Sequence, residues 1–125
     1  MSNRELVPIE EILYRRAYCS PLRNYMNPDG SATSRVFKLR EKDQGELSVD
    51  ICSLTTKEKS VGDTSKFILF DIANKSVNQL NLETYKDPLS ESSNDAHAVI
   101  VGLDMNDDIK PSLLAKKSTR IYIES

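Results

Sequence analysis

Two short apolar runs constrain this chain most: Phe67-Ile68-Leu69-Phe70 and Ala98-Val99-Ile100-Val101. Neither alternates with polar residues, so each reads as a strand buried on both faces. A third segment alternates cleanly. Leu47, Val49 and Ile51 are separated by Ser48 and Asp50, the period of a half-buried strand. Ile12 to Tyr18 reads as a further strand, and Ile121-Tyr122-Ile123 as a short closing one. Leu82 to Lys86 runs into Asp87-Pro88, where proline stops a strand or confines it to an edge.

Helix signals lie between these segments. Thr55 or Thr56 caps a short helix that Gly62 ends. Ile72, Ser76 and Leu80 recur at helical spacing. Asp107 or Asp108 caps a last helix with Pro111 in its first turn, and Lys116 and Lys117 suit its C-terminal dipole. Asn27-Pro28-Asp29-Gly30 is a turn, and Arg35 to Leu39 is a strand or a short helical turn. The pattern predicts an α+β fold: one compact domain, with a mixed sheet of about five strands and two or three helices. Residues 1–12 read as an N-terminal arm or lead-in, and residues 13–125 as the domain.

The chain has 125 residues, enough for one domain that buries a core without staples. Its hydrophobic fraction is 38% and it has no tryptophan, so Phe37, Phe67 and Phe70 are the large pieces of a modest core. Net charge is −2 and the pI about 5.4, which argues against a wholesale grip on duplex DNA. A local basic patch is still available, because six of the seven arginines fall within the first 40 residues. Cys19 and Cys52 form no CxxC pair and read as thiols in a reducing compartment. No secretory-type leader and no apolar stretch of about 20 residues is present, so a cytoplasmic location without membrane contact is expected.

Three segments carry candidate chemistry. Tyr14-Arg15-Arg16, with Tyr18, Arg23 and Tyr25, combines guanidiniums that match phosphate or carboxylate with rings on which a base can stack. On a strand, Arg15 and Arg16 point to opposite faces, so only one is expected in a given pocket. The plainer reading is a structural ion pair. His97, the only histidine, stands where a polar loop becomes a strand. Its imidazole can serve as acid–base or as an anion contact, with Asp50, Asp87 or Asp95 as orienting carboxylate. The plainer reading is a loop cap. Ser31 to Arg35 supplies hydroxyls and amides that could cradle a phosphate, or simply polar loop.

Other chemistries fail on the residues. Asp104, Asn106 and Asp108 match three positions of a calcium loop, but Ile109 and Ala115 replace the required Gly and Glu. One His and two distant Cys make no zinc set, so no metal is expected. There is no GxGxxG, GxxxxGK[ST] or GxSxG motif, and no cofactor is indicated. An early Arg, a Ser/Thr motif and a late Glu form the ADP-ribosyltransferase arrangement. Here Glu83, Glu91 and Glu124 stand in no Glu-Xaa-Glu motif.

Leu13-Tyr14-Arg15-Arg16, Ser34-Arg35-Val36-Phe37, Leu47-Ser48-Val49-Asp50, Asp87-Pro88 and Ala96-His97-Ala98 together resemble the pattern of an uncharacterised family of small bacterial proteins. The chain departs from it at Ser93-Asn94-Asp95, where that pattern has Asn-Pro-Ala-His. The resemblance carries no activity with it. It implies that Arg15 or Arg16, Ser34, Asp50 and His97 converge.

Two functions follow as expectations. In one, the Arg/Ser/His cluster binds or processes a phosphate-bearing ligand, a nucleotide or RNA. Arg15 or Arg16 then neutralises phosphate, Ser34 donates a hydrogen bond and His97 is the catalytic acid–base. In the other, the domain is a non-catalytic interaction partner of a larger enzyme, toxin or defence effector. The first requires the arginines, Ser34 and His97 to share one concave pocket.

Overall fold

The computed structural model describes residues 4–123. Its strands are β1 (Ile12–Tyr18), β2 (Glu46–Ile51), β3 (Phe67–Ala73), β4 (Glu83–Lys86), β5 (His97–Val101) and β6 (Thr119–Ile121). They form one sheet in the order β4-β5-β2-β1-β3-β6, and every pair is antiparallel. The fold is thus α+β in a single compact domain. The sheet has six strands and is antiparallel throughout, not mixed. The reason lies in the helices. Parallel neighbours need a crossover of a dozen or more residues, normally helical. Here α1 (Lys57–Val61) and α2 (Asn74–Asn78) have 5 residues each, and α3 (Ile109–Lys117) has 9.

Alternation along the strands sets the two faces. Leu13, Leu47, Val49, Ile51, Ile68, Phe70, Ile72, Ala98 and Ile100 point to one side and form the main core. Val77 of α2, Leu114 of α3 and the helical turn Ser34–Phe37 cover them, with Val36 and Phe37 fully buried. The apolar run of β3 is buried on both sides, as its lack of alternation predicts. Ile68 and Phe70 enter the main core. Leu69 faces the other way, where α1 lies across β1 and β3, and both it and Val61 of α1 are almost fully buried.

Local chemistry accounts for the helix ends. The Thr56 hydroxyl accepts from the Lys59 amide and Gly62 follows the last turn of α1. Asp107 accepts from the amides of Ile109 and Lys110 at the start of α3. Ile72 extends β3 instead of starting a helix, because its side chain alternates into the core with Ile68 and Phe70. Arg35 to Leu39 resolves as a helical turn, not a strand. The closing strand pairs Thr119 to Ile121 with β3, leaving Tyr122 beyond the ladder.

The lead-in segment is tied to the domain. The Val7 amide donates to the Thr84 carbonyl and the Lys86 amide to the Glu5 carbonyl, so residues 5–7 cover the outer edge of β4. Asn74, fully buried, completes this seam. Its side-chain amide donates to the carbonyls of Val7 (2.9 Å) and Pro8 (3.1 Å), and its oxygen accepts from the Thr84 hydroxyl (2.6 Å). Three partners lose their bond if Asn74 is truncated. Leaving such groups unsatisfied costs about 1–3 kcal/mol each, with partial relief from water. Asn74→Ala should therefore lower stability by roughly 2 kcal/mol or more in urea unfolding. A change within roughly 0.5 kcal/mol would show that the seam does not hold the segment.

Candidate functional site

The ladder between β1 and β2 is short. Leu13 faces Ile51 and Tyr14 faces Asp50, and there the pairing stops, whereas β1 pairs with β3 along its whole length. The strands part at Arg15. By alternation this residue belongs to the core side, between Leu13 and Ala17, where a guanidinium has no apolar berth. Arg15 places it in the gap. Its Nε donates to the Val36 carbonyl and its Nη1 to the Ser48 carbonyl, each at 2.8 Å. The second bond replaces the ladder partner that Ser48 lacks on this edge.

A cleft of about 440 Å³ occupies this opening. Arg15, Arg16, Asp50 and His97 all line it. The expectation that only one of the two arginines enters is corrected here. Opposite faces of β1 reach one cleft because the sheet is open between β1 and β2. Tyr18, Tyr25 and Phe67 form an aromatic wall, with Tyr18 and Phe67 centroids 4.8 Å apart. Arg40, Lys42 and Lys59 add to the two arginines, so five cationic side chains line the cleft against the carboxylates of Asp43 and Asp50.

The carboxylates are largely committed. Asp50 accepts from the Ser60 hydroxyl at 2.7 Å and the Asn94 amide at 3.0 Å, and Asp43 pairs with Arg40 at 3.5 Å. Among the described residues Arg15 has no carboxylate within ion-pair distance. Burial, then the nearby Arg40 charge, pushes its guanidinium down to about 10. It remains charged near neutrality. Two of its five N–H donors are used, and an arriving anion would find the rest.

His97 begins β5, opposite Asp50 in the register, but its orienting partner is Asp87. Nδ1 lies 2.8 Å from the Asp87 carbonyl oxygen and 3.3 Å from its carboxylate. Both neighbours are acceptors, so Nδ1 carries the proton and Nε2 of the neutral ring is the open acceptor. Asp87 is held in turn by Arg4 at 3.5 Å, and Arg4 also bonds Glu46 at 2.6 Å. The lead-in segment thus braces the histidine. Sequence alone offered three carboxylates for this role. Only the backbone of the loop, with the Asp87 amide donating to the His97 carbonyl, selects one.

Ser34 does not line the cleft. It starts the helical turn whose Val36 carbonyl holds Arg15, so its element supports the site without offering the hydroxyl. The proposed cradle at Ser31 to Arg35 is also spent on turns. Ser31 donates to Asp29 and Thr33 to the Asn24 carbonyl, both at 2.6 Å. Arg40, Lys42, Lys59 and Phe67 are the residues that sequence reasoning missed as site residues. Their spacing carries no signal, because separate loops and strands bring them together. Among the described residues no cluster of His, Cys, Asp and Glu could hold a metal. Among the described residues no helix is long and apolar enough to cross a membrane.

No protein-family model, curated protein or solved structure matches the chain.

Two predictions follow from this geometry. Nitrogen NMR of the neutral His97 ring should show the Nδ1–H tautomer, and Asp87→Ala should shift it toward Nε2–H. An Nε2–H tautomer in the wild type would contradict the Asp87 bond. Tyr14 also lines the cleft. The neighbouring Cys52 thiol and burial push its phenol up to about 12 from 10. A raised phenol pKa stabilises the fold below pH 10 and loses that contribution as pH rises through about 12. Ultraviolet titration should show a late tyrosine that Tyr14→Phe removes. An unchanged titration curve would refute it.

Proposed function

We propose that the cleft binds a phosphate-bearing ligand, a nucleotide or RNA. The observation that carries this reading is Arg15: a half-buried guanidinium in the sheet opening, fixed by two carbonyls and with no carboxylate within ion-pair distance. A charge in that setting costs the empty protein free energy, and an anion offsets the cost. Arg16, Arg40, Lys42 and Lys59 supply further positive charge around it. Guanidinium forks match phosphate oxygens, and backbone-fixed donors lose little entropy on binding. His97, with Nδ1 held by Asp87, is the group able to take or give a proton beside the ligand.

A second reading, a non-catalytic protein-interaction partner, is favoured by a different observation. Leu6 and Ile9 are 56% and 52% exposed beside the shallow groove at Leu82, on the lead-in edge. Apolar exposure of this kind is found at interaction surfaces.

Calorimetry with nucleoside monophosphates and with a short single-stranded RNA tests the first reading. Arg15→Met, checked for fold by circular dichroism, should weaken binding roughly 10- to 150-fold, the loss of about 1.5–3 kcal/mol expected for a charge-assisted hydrogen bond. The surface variant Lys59→Met should weaken it less and reduce its salt dependence. A wild type that binds neither probe would overturn the reading. A stoichiometric protein partner lost on Leu6→Glu would then support the second.

A further inference from the structure

Arg16 is exposed, yet its guanidinium is stacked. Its central carbon lies 4.0 Å from the centroid of the Phe67 ring. Its Nη1 lies 3.4 Å from the point where a Cβ on Gly62 would stand. Gly62 has φ of +70° at the end of α1, so it has a conformational reason to be glycine. The guanidinium thus fills a flat slot against the Phe67 ring, within the cleft that Arg15 opens. A surface guanidinium on phenylalanine is held by only about 0.5–1 kcal/mol, so it exchanges readily.

Building on the phosphate reading, we propose that this slot takes the nucleobase of the ligand. The base replaces the Arg16 guanidinium on the Phe67 ring, and Arg16 turns to the phosphate held by Arg15. The exchange is matched in shape, since one flat π system replaces one flat cation. It is matched in charge, since the displaced cation gains an anion. Tyr18, whose ring is 4.8 Å from that of Phe67 and carries the Arg23 guanidinium at 4.2 Å, extends the stacking surface outward. Stacking of this kind tolerates any base. A free nucleotide and the end of a single strand present the same chemistry, whereas a base inside a duplex is already stacked and cannot enter.

The test compares adenosine 5′-monophosphate with ribose 5-phosphate by calorimetry. The base should tighten binding roughly tenfold, within the range of base–aromatic stacking. Phe67→Leu should erase that preference. Arg16→Ala, at an exposed position and checked for fold by circular dichroism, should keep or enlarge the preference while weakening both ligands. Upfield shifts of the adenine protons, absent in Phe67→Leu, would place the base on the ring. A 5′-phosphorylated trinucleotide that binds tighter than the mononucleotide identifies a strand end as the source, and weaker binding identifies a free nucleotide. Equal affinity for the two small ligands would overturn the slot and leave the phosphate cleft standing. Binding of neither would remove the cleft itself.

Discussion

The site depends on one interaction, the Arg15 guanidinium bridging the carbonyls of Val36 and Ser48. An arginine at a core-facing strand position cannot be packed among Leu13, Ala17 and Val49. It needs polar partners, and it finds them by standing where β1 and β2 stop pairing. The opening would otherwise leave the Ser48 carbonyl without a partner on that edge. One side chain thus satisfies the gap and fills it with charge. The charge is costly where it is partly buried, and under the proposed reading an anion offsets that cost.

The rest of the architecture holds this opening in place. The helical turn Ser34–Phe37 is locked by the burial of Val36 and Phe37, so the carbonyl that receives Arg15 is fixed by the main core. On the opposite face α1 seals β1 and β3 through Val61 and Leu69, and carries Ser60 to Asp50. The lead-in residues fasten the far edge through Asn74, and Arg4 reaches from them to Asp87 and so to His97. Buried polar contacts of this sort fix geometry more than they add stability.

Much of the fold was legible in the sequence. Apolar runs and period-two alternation located β1, β2, β3 and β5, and Thr56 and Gly62 bounded α1. Strand direction was not legible, since it follows from which segments pair at long range. Ile72, Ser76 and Leu80 signalled the helix α2 that does follow β3, but Ile72 itself is the last inward residue of the strand, since four-residue spacing fits that junction too. The site was half legible. Arg15, Arg16, Asp50 and His97 stood out by residue type and do share the cleft. Ser34 stood out equally and does not line it. The selection of Asp87 for His97, and the arrival of Lys59 and Phe67, depend on loop geometry that local sequence does not encode.

Arg15 as anion receptor is the central claim, and its own Nε–H resonance tests it most directly. In the folded protein this proton is bonded to the Val36 carbonyl, so it should be slow to exchange and visible by nitrogen–proton NMR. Titration with adenosine 5′-monophosphate should shift the Arg15 resonance in a saturable way, with the same affinity that calorimetry reports. An Arg15 signal that stays fixed while ligand saturates elsewhere on the molecule would contradict the account.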